Sequence, residues 1–416
     1  MKTSILLSIF VIVAMTFALR ASNNMVLTTV PLLARYDFYM SSTEIGVISG
    51  IFSAFSFFAT AFLNSRACAK RRRVYFILSS VGFAISLPLF YLATPLTLWL
   101  LAAFSGFVLG FLMPNIVTAA GLFEDPKTRE RVLAIYTLSL STSLIVGPSL
   151  EGLILMRFTL RQAFLFFAPL GVLTAVLSPT IRFPESELRE PAKFKEVSAN
   201  PYFLTAIFNI LSYNVPFAIL MAFGGIYARD VFGASYAQIE LLFAVFFAAS
   251  FTFRLMLSLK HFDDLFKLTY FAIALTLAGL SLMTASTSLT MLAISFLLLG
   301  VPHGLTYPIS LIYISRGFQE RLRNAANSYF FSLMMAIGVA IPFVAGAIIS
   351  LIGIRLTYFS LVLPVVTLLA LIRWNQIRLK KEAQRPSVGR AASWIRARFR
   401  VRDVSCRDHL VKDYRR

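Results

Sequence analysis

Gly106-Phe-Val-Leu-Gly110-Phe-Leu-Met-Pro114 is answered 194 residues later by Gly300-Val-Pro-His-Gly304-Leu-Thr-Tyr-Pro308. In each copy two glycines four apart share a helix face and a proline follows at the same spacing, a pattern that lets helices approach closely and bend in an apolar solvent. The same shift maps Pro148 and Gly152 onto Pro342 and Gly346, Arg161 onto Arg355, Ala34-Arg35 onto Ala228-Arg229, Phe38 onto Phe232, and Phe52 onto Phe246. One ungapped offset carried by so many anchors is the mark of an internal repeat.

The solvent of that repeat is a bilayer. Of 416 residues, 58% are apolar, and the mean hydropathy is +0.77, well above the range of soluble domains. Apolar stretches long enough to cross the hydrocarbon as helices fall at 5–33, 43–64, 74–93, 97–122, 132–155, 162–182, 201–226, 237–258, 266–286, 289–314, 325–350 and 354–374. Met1–Ser22 has some features of a cleaved signal, with Lys2, an apolar run and Ala18-Leu19-Arg20-Ala21. An arginine beside the cut and the return of apolar character at Met25–Leu33 favour a first helix with a polar middle.

The expected fold is therefore an all-α integral membrane protein of twelve transmembrane helices in two pseudo-symmetric six-helix bundles. Residues 1–182 form the first bundle, 183–200 a linker, 201–374 the second bundle and 375–416 a basic tail. A six-helix unit contains an even number of crossings, so the second copy inserts in the same orientation as the first. Parallel repeats of this kind are expected to hold a site between the bundles and to expose it alternately to the two faces.

Charge gives the orientation. Lys and Arg outside the spans divide 32 to 5 between the two faces, and the richer face carries both termini. That places both termini in the cytoplasm of a multi-pass protein of the cell membrane. The net charge of +20 is largely this bias together with the tail, so no nucleic-acid partner is implied. Within the tail, Trp394–Arg402 alternates apolar and basic residues, which suits either contact with anionic lipid headgroups or a solvated segment. Cys68 and Cys406 both lie on the cytoplasmic side, where thiols stay reduced, and imply no disulfide framework.

With these pieces in place the chain resembles the major facilitator superfamily from about residue 5 to residue 375. Pro31 followed by Ser41-Ser42-Thr43-Glu44-Ile45-Gly46 is similar to the family's junction between its first two helices. Gly147-Pro148-Ser149-Leu150-Glu151-Gly152 resembles its fifth-helix Gly-Pro motif of antiporters, with Glu151 where the first of two glycines is expected. The loop signature between helices two and three survives only in part, as Ser65-Arg66-Ala67-Cys68-Ala69-Lys70-Arg71. Its acid, which the resemblance assigns to the cytoplasmic gate, is missing. Ala102 and Ala103 stand near the place of the fourth-helix arginine linked to proton coupling in some exporters.

Charges inside hydrocarbon cost about 2.5–3.5 kcal/mol on insertion scales, so those retained are candidates for function. Arg20 and His303 sit deep in their spans. Arg20 belongs to a stripe with Thr16, Asn23, Asn24 and Thr28, whose spacing puts them on one helix face. Helix seven has a counterpart in Thr205, Asn209, Ser212 and Tyr213, with Asn214 at the repeat position of Arg20. The resemblance implies that helices one, four, seven and ten line the cavity, which would bring these stripes to Asn115, His303, Thr306 and Tyr307. Arg20 then offers forked donors to an anionic or oxygen-rich substrate. The alternative is that Arg20 binds only neighbouring helices or holds a gate. His303, Glu151 and Arg66 are candidates for coupling or gating; the imidazole of His303 titrates near neutrality, and the alternative is a neutral hydrogen-bonding residue. Glu151 and Glu240, near the outer ends of their helices, and Arg254, near an inner end, are expected to reach interfacial water. Tyr213, Tyr307 and the many phenylalanines could instead wall a hydrophobic substrate.

The sequence holds no phosphate-binding loop of the Gly-x4-Gly-Lys-Ser/Thr type and no cluster of His and Cys with metal-ligand spacing. No enzyme activity, cofactor or metal is expected. The expected partners are a small-molecule substrate, a coupling proton or ion, and lipid headgroups, and the expected state is a monomer. Three readings remain open: secondary transport of a polar or anionic metabolite, proton-coupled export of drug-like compounds, and a non-transporting sensor or scaffold on the same fold.

Overall fold

The computed structural model describes residues 2–123, 125–183, 194–259 and 264–384. The basic tail beyond Gln384, Cys406, His261, His409 and most of the expected linker lie outside the described residues, while α14 carries the last crossing ten residues past the expected boundary at 374. The first bundle comprises α1 (Lys2–Tyr36), α2 (Ser42–Phe58, extended by a π-turn over Ala59–Asn64), α3 (Ala69–Tyr91), α4 (Pro95–Ala120), α5 (Pro126–Leu155) and α6 (Leu160–Leu177). A short α7 (Phe194–Ser198) leads into the second bundle of α8 (Pro201–Phe232), α9 (Tyr236–Leu259), α10 (Leu265–Ala285), α11 (Leu289–Gly317), α12 (Glu320–Ile352) and a last crossing made by α13 (Ile354–Ser360) and α14 (Val362–Gln384). Twelve helices among the described residues are long and apolar enough to cross a membrane.

The helix ends follow local chemistry. Ser41 and Glu44 form a reciprocal capping box at the start of α2, and Thr94 with Thr97 does so at α4, where Pro95 occupies the first turn and needs no donor. Gly233 ends α8 in the left-handed conformation at φ 66°, a region that costs most other residues strain. Connections between crossings are thereby kept short, and each bundle alternates up and down.

The repeat seen in the sequence is a repeat of contacts. A Cβ on Gly106 would run into the carbonyl of Phe52, and a Cβ on Gly300 into that of Phe246. Phe52 and Phe246 are themselves 194 residues apart, so α2–α4 and α9–α11 meet through equivalent atoms. Arg161 donates to the carbonyl of Ala93 at 2.9 Å, and its counterpart Arg355 donates to that of Ser286 at 2.9 Å. In both copies an arginine ties the start of the sixth crossing to the turn after the third.

Lys2 and Gln384 mark one face of the molecule, here the terminal face; the opposite one is the far face. At the far face the bundles are joined. Tyr36 donates to Asp230 at 2.8 Å, Arg35 pairs with Asp230 at 3.4 Å, α2 meets α12 through Thr43 and Ser350 at 3.0 Å, and α5 packs on α9. One apolar core runs from the first bundle into the far-side half of the second, through residues such as Ile226, Ile239 and Phe243. Toward the terminal face the second bundle has a separate core, with Phe203, Ile210, Leu305, Tyr313 and Phe330. The bundles are thus sealed against each other on the far side, with their cores parted toward the terminal side.

Candidate functional site

The polar stripe of α1 faces protein, as its spacing requires. Thr16, Asn24 and Thr28 are each only 2% exposed, and Arg20 and Asn23 are partly buried. Thr16 and Thr28 return their hydroxyl protons to carbonyls one turn back, at 2.6 Å and 3.1 Å. The others are left wanting: Arg20 Nε, Asn23 Oδ1 and Asn24 Nδ2 are buried without a hydrogen-bond partner. Buried polar atoms are rarely left so, and a row of them along one helix describes a surface built to meet something polar.

Arg254 comes from the other bundle to meet this row. At 1.5 Å per residue, Arg20 lies about 24 Å and Arg254 about 27 Å from the far-face ends of α1 and α9. The two guanidinium groups lie within electrostatic reach of each other and of Tyr307, while Tyr213 is close to Arg254 and Tyr136 to Tyr307. Arg254 donates from Nη2 to the carbonyl of His303 at 3.5 Å, and its Nε is buried without a partner. Arg254 is partly buried rather than fully exposed to interfacial water. Its helix turns it into the gap between bundles, a direction that depth along the chain does not reveal. Neither arginine is in an ion pair with an acid among the described residues. The two ion pairs among the described residues are Arg35–Asp230 and Arg161–Asp37, both near the far face.

His303, on α11, is partly buried and is held by its Nδ1 to the Ser250 hydroxyl at 2.8 Å. Phe217, Phe246, Phe247 and Tyr213 surround its ring, with centroids at 4.6, 5.2, 5.6 and 5.6 Å. Tyr213 is 3% exposed and its hydroxyl has no partner. Asn214 and Tyr307 are partly buried, the latter beside Phe330 and Phe331 at 6.3 and 6.1 Å. The site is therefore cationic at Arg20 and Arg254 and aromatic around His303.

Two asparagines expected in the cavity also bond within their own bundles. Asn115 donates to Asn64 Oδ1 and to the carbonyl of Phe111, both at 2.7 Å, which ties α4 to the end of the second crossing. Asn209 donates to the carbonyl of Thr306 and to the Ser310 hydroxyl, both at 2.9 Å, joining α8 to α11. Each uses its amide donors within one bundle, and Asn209 Oδ1 remains unpartnered. Arg66 is exposed near the terminal face, its guanidinium 5.7 Å from the centroid of the Phe62 ring.

Glu151 and Glu240 also depart from expectation. Both lie about a turn from the far-face ends of α5 and α9, yet both are 0% exposed. Gly152 lets the helices close: a Cβ there would stand 3.2 Å from the carbonyl oxygen of Ala237 and 3.5 Å from the Cβ of Glu240. The two carboxyls are neighbours, and Thr28 of α1 lies against both. Thr29 donates to Glu151 Oε1. The remaining oxygen of Glu151 and both oxygens of Glu240 have no donor.

The profile of the Major Facilitator Superfamily matches residues 12–263 and, a second time, 203–406. The chain belongs to the major facilitator superfamily. Among curated proteins, this superfamily member is similar to Multidrug resistance protein 1 of Bacillus subtilis (strain 168), at 24% identity over 184 residues. That match covers 42% of this chain and 47% of the relative, so the chain spans about half the length of the curated relative it matches. Among solved structures it resembles a bacterial homologue of the human lysosomal transporter Spinster in an inward-facing and occupied conformation. The TM-score is 0.69 at 16% identity, covering 93% of this chain and 99% of that one. A POT family transporter in complex with 5-aminolevulinic acid gives a TM-score of 0.72 at 12% identity over 88% of this chain and 96% of that one. The likenesses show the fold, which is that of membrane transporters; the superfamily member is a multi-pass membrane protein with a transporter's architecture.

Proposed function

We propose that the protein is a secondary transporter that moves a small anionic metabolite between its two bundles by alternating access, with Arg20 and Arg254 as the charge-pairing groups. The observation that carries the reading is that two partly buried guanidinium groups, one from each bundle, stand within electrostatic reach of each other, with no carboxylate in an ion pair with either among the described residues. Two like charges held together in a membrane interior are costly. An anion between them relieves both penalties and supplies acceptors for the unpartnered Nε atoms. Because the two arginines belong to different bundles, such a ligand bridges the parts that must move. In this reading the terminal face is cytoplasmic, the bundles divide at 183–200, the protein acts as a monomer, and His303 or Glu151 carries any coupling proton while Arg66 serves the terminal-face gate.

A second reading, export of drug-like compounds, draws support from the aromatic wall around His303 and from the name of the curated relative. A thermal-shift screen of purified protein against carboxylates, phosphate esters, neutral sugars, nucleosides and lipophilic cations tests both. Stabilisation by anions that disappears in Arg20→Ala and in Arg254→Ala supports the first. Stabilisation by lipophilic cations that survives both substitutions replaces it with the second.

A further inference from the structure

The seams between the bundles are related by the repeat, yet they are built from different chemistry. Subtracting 194 from Glu240 gives Gly46, and adding it to Glu151 gives Ala345; likewise Gly152 corresponds to Gly346. At the α2–α12 seam these small residues pack backbone to backbone, and a Cβ on Gly46 would lie 3.2 Å from the Cα of Gly346. At the equivalent place in the α5–α9 seam stand two carboxyls. The architecture closes without them on one side, so closure alone does not explain them on the other.

No positive charge is paired with either carboxyl among the described residues. Toward the far-face ends of the elements around them, the titratable or charged groups are Arg35 and Tyr36 of α1 with Asp37 just beyond it, Arg229 and Asp230 of α8, and Tyr236 of α9; Arg157 follows the end of α5, and His303 lies deeper on α11. No described hydrogen bond joins any of these to Glu151 or Glu240. What touches the pair is Thr28 and Thr29, whose hydroxyls cannot neutralise it. Two ionised carboxylates in dry contact would be uncompensated charges, with three of their four oxygens short of a donor. A proton removes one charge and becomes the missing donor, because a protonated carboxyl donates to its ionised or neutral neighbour.

We propose that Glu151 and Glu240 together form a proton-binding site in the far-side seam, loaded while α5 and α9 are closed and exchanging its proton with water on the far face when they part. The proton enters from that water and returns to it, so no other co-reactant is needed. Loss of the proton leaves two adjacent negative charges that drive the seam open; its return permits closure. This deepens the coupling part of the transport reading but does not depend on which solute is carried.

The test needs no substrate. Full-length protein carrying Cys68→Ser, Cys406→Ser and the reporter Ala237→Cys is reconstituted in liposomes, and its labelling by a membrane-impermeant maleimide is followed from pH 5 to pH 9, after correction for the thiol's own titration with a free-thiol standard. Labelling is expected to accelerate about tenfold as the pair loses its proton, a change of about 1.4 kcal/mol in the opening equilibrium. The dependence should flatten in Glu151→Gln/Glu240→Gln and persist in Asp230→Asn, which removes the neighbouring ion pair. Infrared spectra of the same samples should contain the carbonyl stretch of an un-ionised carboxylic acid that each single glutamine variant alters, a readout that survives a failure of the double variant to fold. An unchanged pH response in the glutamine variants overturns the proposal. So does a response to replacing sodium by choline at constant pH, which would make the pair a metal-cation site. Either failure leaves the anion reading of Arg20 and Arg254 standing, because those residues are untouched.

Discussion

Tyr36 donates its hydroxyl proton to Asp230 at 2.8 Å, and the two residues are separated by 194 positions, the offset of the repeat. Residues at equivalent positions can touch only where the axis relating the two bundles passes between them. The far-face ends of α1 and α8 therefore cross on that axis. There Arg35 pairs with Asp230, and Arg229, the repeat partner of Arg35, lies over the rings of Tyr36 and Tyr236 at 5.0 and 4.1 Å. A contact on the axis is broken by rocking of either bundle, which makes it a natural clasp for the closed far side.

Removing the clasp should favour opening. Asp230→Asn keeps a weaker acceptor for Tyr36 but abolishes the ion pair, and Asp230→Ala removes both. Hydrogen bonds and half-exposed ion pairs are each worth about 0.5–1.5 kcal/mol. Maleimide labelling of a reporter cysteine in the far-face seam should accelerate a few-fold in Asp230→Asn and more in Asp230→Ala. No acceleration in either would show that the clasp does not hold this side shut.

The equivalent glycines should be equally intolerant. Gly106→Ala and Gly300→Ala each drive a methyl group into a helix carbonyl, so each should destabilise by about 1–3 kcal/mol, the usual range for overpacking. Gly121→Ala is the control, since its Cβ meets nothing nearer than 3.4 Å. Thermal unfolding in detergent should lower the midpoint for the first two and leave the third near the parent.

Asn115→Ala separates scaffold from site. It strands the buried Asn64 Oδ1 without its donor, a loss of about 1–3 kcal/mol. Stability should fall while the affinity of whichever anion is bound stays unchanged. A selective loss of affinity would instead give Asn115 a part in substrate binding.

Much of this architecture was legible because the bilayer allows few solutions. Apolar stretches of spanning length had to be helices, and the offset between Gly106 and Gly300 gave the number of bundles and their orientation. The site was legible only as far as periodicity reaches. Spacing placed Arg20, Asn23 and Asn24 on one buried face, but it could not tell that Asn115 and Asn209 spend their donors within their own bundles. Distance along the chain gave Glu151 and Glu240 the right depths and the wrong surroundings, since depth says nothing of what packs across a seam. One signal was available for the carboxyl pair: the repeat aligns Glu240 with Gly46 and Glu151 with Ala345, an acid replacing a small residue twice at the same seam.

The most direct test of the account is flux into proteoliposomes, measured for a panel of mono- and dicarboxylates, phosphate esters, neutral sugars, nucleosides and lipophilic cations, with parent protein, Arg20→Ala and Arg254→Ala side by side. Charge-assisted hydrogen bonds worth about 1.5–3 kcal/mol each lead us to expect movement of anions alone, with apparent affinity falling about 10- to 150-fold in either variant. Transport of neutral or cationic solutes with an affinity that neither substitution changes would contradict it.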